Sequence, residues 1–252
     1  LLVALLGLAG IVFALWHSLR LKARANRELM AMNCEIEAQR IRLQELNVTI
    51  RRQSEEDALT GLHNRRYLQS LLDHTTRAES GPVPASALVI IADLDHFKRV
   101  NDTWGHDAGD QVLRHVAETF RSVARAGDSL VRWGGEEFVW WCPGASVSEG
   151  PALCARLQAA LAAAPVILQG EAQQITASIG FAPVPVWPGS GVDSALGLKL
   201  ADHATYLAKR AGRNCWFGYA PRRTPDDPAS LGQTPVDVLE QTGWVECIAA
   251  PG

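Results

Sequence analysis

Basic residues are not in excess in this chain of 252 residues, in which 24 lysines and arginines stand against 27 aspartates and glutamates for a formal net charge of −3. Proteins that bind nucleic acid by neutralising phosphates rely on such an excess, because their affinity comes from the release of counterions. The composition therefore argues against nucleic acid as a partner. The length is sufficient for one well-formed core with additional segments.

Cysteines in a paired or clustered pattern are also missing. The five cysteines are scattered, without a CxxC motif or a cysteine–histidine cluster, at Cys34, Cys142, Cys154, Cys215 and Cys247. This spacing indicates neither a disulfide framework nor a zinc site, and it is typical of a protein in a reducing compartment.

The N-terminus carries an apolar run, "LLVALLGLAGIVFALW", followed by the basic segment "HSLRLKARANR". A complete membrane span needs about 20 apolar residues, and the chain begins with leucine instead of methionine, so we expect a truncated transmembrane helix at residues 1–19. A signal peptide, the alternative, would carry its positive charge before the apolar run. By the positive-inside rule, the remainder of the chain is expected in the cytoplasm, at the inner membrane.

A seven-residue apolar repeat follows over residues 29–57. One seam position holds Leu29, Ile36, Leu43 and Ile50, and the other holds Met32, Gln39, Leu46 and Gln53. This repeat is typical of a parallel coiled coil, in which the two glutamines weaken packing and favour a defined register. The alternative is a single amphipathic helix that lies on its own domain. We expect residues 20–57 to form a signalling coiled coil that holds the chain as a homodimer.

Strand and helix patterns are mixed in the remainder of the chain. Apolar runs predict strands at 86–92, 129–132, 137–142 and within "QITASIGFAPV", and helical periodicity predicts helices at about 107–123, 148–162 and 195–211. Two adjacent glycines between the second and third strands predict a hairpin and therefore antiparallel pairing. In such folds ligands collect where strands end and helices begin, because free backbone N–H groups there attract phosphate.

The hairpin segment "RWGGEEFVWW", residues 132–141, contains two glycines followed by two glutamates. Glycines permit positive φ and close approach of a ligand to the main chain, and adjacent carboxylates on a turn suit a divalent cation. By itself, the segment favours an ordinary hairpin tip whose glutamates face water. The neighbouring segments are needed to decide between a cation site and a simple turn.

Five segments together resemble the GGDEF domain of bacterial diguanylate cyclases in order and spacing: "DALTGLHNRR" (57–66), "DLDHFKRVNDTWGHDAGD" (93–110), "RAGDSLVRWGGEEF" (125–138), "TASIG" (176–180) and "ADHATYLAKRAGRN" (201–214). The resemblance covers about residues 57–217. It implies an α+β fold similar to the polymerase palm and the class III nucleotide cyclases, with a central antiparallel-rich sheet flanked by helices. It also implies condensation of two GTP into cyclic di-GMP with release of two pyrophosphates, by a homodimer subject to product feedback inhibition.

The resemblance implies a catalytic set of Asp93, Glu136 and Glu137. A divalent cation, Mg²⁺ or alternatively Mn²⁺, would be bound by Asp93, Glu136 and the backbone carbonyl of Leu94. The cation would offset charge on the phosphates and lower the pKa of the attacking 3′-hydroxyl. Two roles stay open for Glu137, which could bind a second metal or assist deprotonation of the hydroxyl.

Six residues match the family's GTP-binding positions, namely Phe97, Lys98, Lys209 and Arg213 for the β and γ phosphates and Asn101 and Asp110 for guanine. The first two open a helix, where backbone N–H groups attract phosphate. At the base, a carboxylate that faces the N1–H and N2–H donors of guanine rejects adenine, because adenine leaves polar groups unpaired.

The segment "RAGD" at 125–128 matches the family's inhibitory product site. The resemblance implies that Arg125 binds the phosphates and guanine of cyclic di-GMP and that Asp128 accepts from guanine N–H groups. Arg156, on the helix after the hairpin, is expected to add a second guanidinium. Without the resemblance, an Arg-x-x-Asp pair would be an ordinary surface ion pair.

These segments divide the chain into a truncated transmembrane helix (1–19), a coiled-coil helix (20–57), a GGDEF catalytic domain (58–218) and a C-terminal tail (219–252). The tail is rich in proline and turn residues, so we expect it to be irregular apart from a short helix near 236–241. The alternative function is a noncatalytic receptor that binds cyclic di-GMP or GTP through the same fold. The presence of the metal aspartate and both signature glutamates favours the enzyme.

Overall fold

The computed structural model describes residues 2–77, 86–187 and 194–250. The chain divides into two compact units, Leu1–Arg52 and Gln53–Gly252. The first unit consists of most of α1 (Leu2–Glu55), a continuous helix of 54 residues. Five apolar seam residues of this helix are more than half exposed in the single chain: Leu29, Met32, Ile36, Leu43 and Leu46.

A helix over the predicted coiled-coil segment is confirmed, whereas its pairing with a second copy stays a prediction that a single chain does not test. Two seam residues, Ile50 and Gln53, lie outside the side chains that the structure describes. Among the described residues, no helix combines the length and the apolar character that crossing a bilayer requires. Most side chains of the truncated span expected at residues 1–19 lie outside those that the structure describes, so this span stays a prediction.

The second unit is built on a seven-stranded sheet and a separate two-stranded hairpin. In chain order, the strands are β1 (His63–Asn64), β2 (Ala87–Leu94), β3 (Ser129–Gly134), β4 (Glu137–Pro143), β5 (Val166–Leu168), β6 (Glu171–Gln173), β7 (Ala177–Val184), β8 (Trp216–Pro221) and β9 (Val245–Ala249). The large sheet has the order β1-β3-β4-β2-β7-β8-β9, and β5 pairs with β6. Of its six neighbouring pairs only β1 with β3 and β7 with β8 are parallel. The antiparallel-rich sheet predicted from the sequence is confirmed.

Helices cover both faces of this sheet. They are α2 (Arg65–Arg77), α3 (Phe97–Trp104), α4 (His106–Val123), α5 (Gly150–Ala163), α6 (Ser194–Arg210) and α7 (Val236–Gln241), with 3₁₀ turns at Val147–Glu149 and Pro228–Leu231. Central strand β2 is buried along its whole length, because Leu88 and Ile90 join the core beside α4 and α5 while Val89 and Ile91 join the core beside α2 and α6. Burial on both faces explains why this strand is a continuous apolar run in the sequence.

The C-terminal segment forms a 3₁₀ turn, a helix and a strand, so the prediction of an irregular tail over residues 219–252 is wrong. The short helix expected near 236–241 is present as α7, and Leu239 packs into the core. Strand β9 pairs antiparallel with β8 and forms one edge of the sheet. Only Val245 among its five residues is buried, so the strand leaves no alternating apolar pattern from which it could have been predicted.

Candidate active site

The hairpin of β3 and β4 carries both signature glutamates. Gly134 pairs with Glu137 across the hairpin, and the register shifts between Arg132 and Gly134, so that Gly135 and Glu136 make the connection. Gly135 has a φ of 50°, in the left-handed region that favours glycine. A side-chain carbon at either glycine would meet nothing within 4 Å. The backbone of the turn therefore borders open space that a ligand can enter.

Arg132 ties this turn to the segment that follows α1. Its Nε and Nη2 donate to the carbonyl of Gly135 at 3.1 and 2.8 Å, and its Nη1 donates to both carboxylate oxygens of Asp57 at 3.2 Å. Burial raises the pKa of Asp57, but hydrogen bonds from Thr60 and the charge of Arg132 outweigh it and hold that pKa below its usual value. One guanidinium thus connects the signature turn to a residue 75 positions earlier in the chain.

Three carboxylates meet where β2 ends beside the turn. Asp93 is almost completely buried and pairs in register with Glu137. Burial and then the charge of Asp93 raise the pKa of both Glu136 and Glu137, whereas Lys209 lowers it. Lys209 Nζ donates to Asp93 Oδ2 at 2.6 Å, so the ammonium predicted to bind phosphate pairs here with the aspartate predicted to bind the metal. The structure brings the whole predicted catalytic set together.

The types of donor at this point, carboxylate and carbonyl oxygens, suit a divalent cation. The backbone N–H of Leu94 donates to the carbonyl oxygen of Glu136 at 3.2 Å, which keeps the end of β2 against the turn. Carboxylates that raise one another's pKa are stabilised by a cation, and hard oxygen donors are the ligands that Mg²⁺ prefers. In the described parts of the chain, no group of three or more His, Cys, Asp or Glu side chains is disposed to hold a metal. The predicted ligand set is different in kind, because it has two carboxylates and a backbone carbonyl.

The start of α3 offers backbone donors near the end of β2. The residue before this helix, His96, has a φ of 58° and its side chain makes no capping hydrogen bond. The first N–H groups of an α-helix have no partner inside the helix. Those of Phe97 and Lys98 are therefore suited to phosphate, as the sequence predicts, and the buried ring of Phe97 anchors this helix end.

Arg213 lies in a tight turn after α6. Its N–H donates to the carbonyl of Ala208 at 3.0 Å, and Gly212 has a φ of 113°, an arrangement typical of a helix C-terminus. The next N–H, of Asn214, donates to Asp95 Oδ2 at 3.0 Å. Hydrogen bonds therefore hold the backbone at Arg213 and at the residue after it, so the side chain of Arg213 extends from a fixed backbone position.

Asp95 joins three of the segments that resemble the family. Its carboxylate accepts from Thr176 Oγ1 and Ser178 Oγ, both at 2.7 Å, as well as from the N–H of Asn214. These bonds link the end of β2 to the start of β7 and to the turn after α6. They explain the two hydroxyl residues of "TASIG" and give Asp95 a positioning role.

The two residues predicted to bind guanine are presented by adjacent helices. A side chain at Gly109 would collide with Oδ1 of Asn101, so the glycine lets the amide of Asn101 lie against the first turns of α4, next to Asp110. Asp110 forms a long ion pair with Arg114 at 3.9 Å, and its side chain is about half exposed. Its carboxylate is therefore accessible to the donors of a base.

The residues predicted for the product site surround a tryptophan. Asp128 Oδ2 accepts from the N–H of Arg125 at 3.0 Å and from Trp140 Nε1 at 2.9 Å, while Oδ1 accepts from Arg125 Nε at 3.1 Å. Arg156 lies over the same indole, with its Cζ 5.6 Å from the ring centroid. The structure groups all three predicted residues, but the carboxylate of Asp128 is already engaged by this chain's own donors.

Sequence reasoning missed three residues at these sites. Arg132 lies two residues before the signature glycines. Trp140 carries an indole N–H and lies in the strand that pairs with the one following "RAGD". The position of each residue in the sequence could therefore have indicated a role at these sites. Arg65 lies in "DALTGLHNRR", but nothing in that segment indicates that its charge lowers the pKa of Glu137 or that its guanidinium lies 4.6 Å from the ring centroid of Trp133.

Comparison with known proteins agrees with this arrangement. The sequence matches the family described as "Diguanylate cyclase, GGDEF domain" over residues 54–215, more than half of the chain. It is 42% identical over 167 residues to the response regulator PleD of Caulobacter vibrioides, a match that covers 65% of this chain and 36% of PleD. It is 42% identical over 160 residues to the diguanylate cyclase DgcP of Pseudomonas aeruginosa, with coverage of 63% and 23%. The chain thus spans about a third or less of the length of these relatives.

A solved structure also resembles the chain beyond the family segment. The coiled coil and GGDEF domain of DgcB from Caulobacter crescentus, in complex with c-di-GMP, aligns with a TM-score of 0.62 at 33% identity. The alignment covers 74% of this chain and 96% of that one.

Proposed function

The chain belongs to the GGDEF family of diguanylate cyclases, and from that premise we propose that it condenses two GTP molecules into cyclic di-GMP and releases two pyrophosphates. The observation that carries the proposal is the meeting of Asp93, Glu136 and Glu137, where burial and the charge of Asp93 raise the pKa of both glutamates. The three carboxylates outnumber the cations beside them, Lys209 and Arg65, and this net negative charge suits a nucleotide that arrives with its cation. In each step a ribose 3′-hydroxyl attacks the α-phosphorus of the other GTP.

Asp93, Glu136 and the carbonyl of Leu94 would hold Mg²⁺ or Mn²⁺. The cation supplies charge compensation at the α-phosphate and lowers the pKa of the 3′-hydroxyl. Glu137 is suited to accept the hydroxyl proton, because its raised pKa makes its carboxylate a stronger base than a free glutamate. Binding of a second metal is the other role for the same side chain.

The nucleotide is bound at both of its ends. Backbone N–H groups at the start of α3 and the charge of Arg213 hold the β and γ phosphates, and Lys209 joins them once it leaves Asp93. Asn101 and the half-exposed Asp110 read the guanine edge.

The active form is a homodimer. One site holds one GTP, and mutual attack requires two sites that face each other, so a single subunit is inert. The exposed apolar seam of α1 supports this assembly, because five large apolar side chains in water are unfavourable unless a partner covers them. Feedback by cyclic di-GMP is assigned to the product site of Arg125, Asp128 and Arg156.

Location at the inner membrane, with the catalytic domain in the cytoplasm, is a separate proposal. It rests on the apolar run and the basic flank of residues 1–27. Fractionation of cells that express the chain tests it, because recovery in the membrane pellet after a high-salt wash is expected and recovery in the supernatant contradicts it.

The decisive test of activity uses the purified chain, GTP and Mg²⁺, with the product identified by mass spectrometry. We expect cyclic di-GMP and pyrophosphate from GTP and no cyclic product from ATP. Glu136→Ala and Asp93→Ala should each lower turnover by more than about 100-fold, because each removes a ligand of the only strong positive charge at the α-phosphate.

The alternative is a noncatalytic receptor that binds cyclic di-GMP or GTP and signals by contact. It predicts nucleotide binding without pyrophosphate release at any protein concentration. Folded alanine variants that turn over GTP at the unchanged rate would instead contradict the metal assignment and leave the fold assignment intact.

A further inference from the structure

His63 is a titratable side chain that the proposed mechanism does not use, and it lies in the shortest strand of the large sheet. Strand β1 consists of His63 and Asn64, which pair in parallel with Val131 and Arg132 of β3. His63 also forms an isolated antiparallel bridge with Glu56. Strand β1 therefore connects the segment that follows α1 to the strand that leads into the signature hairpin.

The imidazole of His63 lies against an aromatic ring and near two carboxylates. It stacks on Tyr67 of α2, with 3.6 Å between the ring centroids and 7° between the planes. The hydroxyl oxygen of Tyr67 lies 3.2 Å from that of Ser129 in β3. Glu55 and Glu56, at the end of α1, act on the imidazole through their negative charge.

One ring nitrogen of His63 is poorly placed to carry a proton. Nδ1 is buried, and no residue that the structure describes forms a hydrogen bond with it. The neutral ring can leave this nitrogen without a hydrogen, whereas the imidazolium has an N–H group at both nitrogens. Protonation in the folded chain would therefore bury an N–H donor of a charged ring without an acceptor, which is costly.

The cost of burial is larger than the attraction of the two glutamates. Burial lowers the pKa of His63 below its ordinary value, and the charges of Glu56 and Glu55 offset only part of this effect. When β1 separates from β3, the imidazole meets water and takes up a proton at its ordinary pKa. The paired arrangement is therefore fully stable above a pH of about 6.5, and it loses stability as the pH falls below that value.

We propose that His63 is a proton-responsive switch that weakens the pairing of β1 with β3 when its imidazole becomes protonated. A strand of two residues has few ladder hydrogen bonds, so the contacts of its side chains decide whether it stays paired. The charged neighbour on β3 is Arg132, whose guanidinium contacts Asp57 and the carbonyl of Gly135. Weaker pairing of β1 would therefore disturb the support of the signature turn.

The consequence for turnover rests on the proposed cyclase function, whereas the effect on β1 does not. Turnover should fall reversibly below a pH of about 6.5, in addition to any loss caused by protonation of the active-site glutamates. The glutamates are the same in a variant that lacks the imidazole. The ratio of turnover in the variant to turnover in the natural chain therefore isolates the contribution of His63.

The test is hydrogen–deuterium exchange of the full chain at about pH 5.5 and about pH 7.5, on either side of the ordinary histidine pKa. Mass spectrometry follows peptides that cover residues 62–66 and 129–134. His63→Phe keeps a flat ring for Tyr67 and removes both nitrogens, and comparison at one pH cancels the intrinsic pH dependence of exchange. We expect equal exchange at the higher pH and at least about twofold faster exchange in the natural chain at the lower pH. The turnover ratio should rise by a similar factor.

His115→Gln is the matched control. His115 lies in α4, and its Nε2 donates to the carbonyl of Ala164 at 2.8 Å, a bond that the amide of glutamine can also make. This variant should exchange as the natural chain does in both peptides at both pH values.

Should His63→Phe fail to fold, Glu56→Gln gives an independent measurement at an exposed side chain. It removes the larger of the two attractions that favour the imidazolium. Exchange of both peptides at the lower pH should therefore be faster in this variant than in the natural chain.

Four results would overturn the inference: equal exchange of the natural chain and His63→Phe at the lower pH, the same change in His115→Gln, exchange in Glu56→Gln that is not faster, or a constant turnover ratio in an active chain. Cyclic di-GMP production distinguishes this inference from the cyclase proposal. A chain that makes cyclic di-GMP but exchanges independently of His63 would contradict this inference alone. An inactive chain whose exchange depends on His63 at the lower pH would contradict the cyclase proposal alone.

Discussion

Among individual residues, the active site places three carboxylates close together, although their mutual repulsion lowers the stability of the folded state. Glu136 and Glu137 both have raised pKa values, chiefly from burial and then from Asp93. A carboxyl whose pKa is higher in the folded state than in the unfolded state destabilises the fold as pH rises through its folded pKa, because the unfolded chain ionises more easily. Function thus requires a charge arrangement that stability alone would remove.

This conflict predicts that Glu136→Gln raises stability while it abolishes turnover. In chelator at pH 7–8 the amide removes one repelling charge, and we expect a melting temperature about 1–2 °C higher, a small value because solvent screens this partly exposed group. The gain should vanish as pH falls through the folded pKa of Glu136, since the carboxyl is then neutral too. Circular dichroism melts at several pH values measure it.

The exposed Glu118 of α4, which is paired with Arg121, supplies the control. Glu118→Gln should leave the melting temperature unchanged or slightly lower. If Glu136→Gln had a lower melting temperature than the natural chain at pH 8, repulsion among the three carboxylates would not be what destabilises the fold.

Some residues of the active site could be predicted from the sequence, whereas the roles of others depend on contacts that form only in the folded chain. Asp93, Glu136 and Glu137 could be predicted because they stand in short contiguous segments that resemble the family, and recognising those segments needs no long-range contact. The roles of Asp95 and Asp128 depend on partners 81 and 12 residues away, and those contacts exist only after the strands have paired. Their residue types alone fit any turn or cap.

At the element scale, the β3–β4 hairpin and the segment after α1 act as one piece because Arg132 contacts both. Asp57 follows the end of α1 by two residues, and its carboxylate shares the guanidinium with the carbonyl of Gly135. A planar guanidinium can hold both acceptors at once, whereas the single ammonium of lysine cannot.

Arg132→Lys should therefore lower kcat about tenfold, roughly the effect of one lost charged hydrogen bond on the placement of Glu136. Steady-state rates at saturating GTP measure the effect, together with the melting temperature. Arg121→Lys is the matched control, since Arg121 contacts the carbonyl of Thr60 in the same segment but does not reach the hairpin. If kcat fell equally in both variants, any arginine that contacts this segment would matter to the same extent, and the contact of Arg132 with the hairpin would have no separate effect on turnover.

Elements with strong local periodicity were predicted within a few residues of their observed bounds. Strand β2 and helices α4 and α6 owe this to their burial, since a doubly covered strand is apolar throughout and a half-covered helix is apolar at every third or fourth residue. Strand β9 was missed because its existence depends on an exposed edge of β8, a long-range pairing that five mostly exposed residues do not reveal.

At the scale of the whole molecule, the proposed reaction needs more than one chain. Cyclic di-GMP has two phosphodiester bonds that join two nucleotides, and each proposed site holds one GTP. Five described apolar residues of the α1 seam are each more than half exposed in the single chain, and covering them with a second copy would bring two catalytic units to a high effective concentration.

Replacing Ile36 and Leu43 by lysine should convert the proposed permanent dimer into a weakly associating one. Two charges at seam positions repel their counterparts in the partner helix and remove buried apolar area. The specific activity of the natural chain should be constant over a wide range of protein concentration, whereas that of the variant should rise with concentration over about a hundredfold range, as expected for rate-limiting association. The matched control carries lysine at Cys34 and Ile41, two exposed positions with the same seven-residue spacing outside the seam, and should behave as the natural chain does. A seam variant that light scattering finds monomeric and whose specific activity is nevertheless full and independent of concentration would remove the dimer from the mechanism.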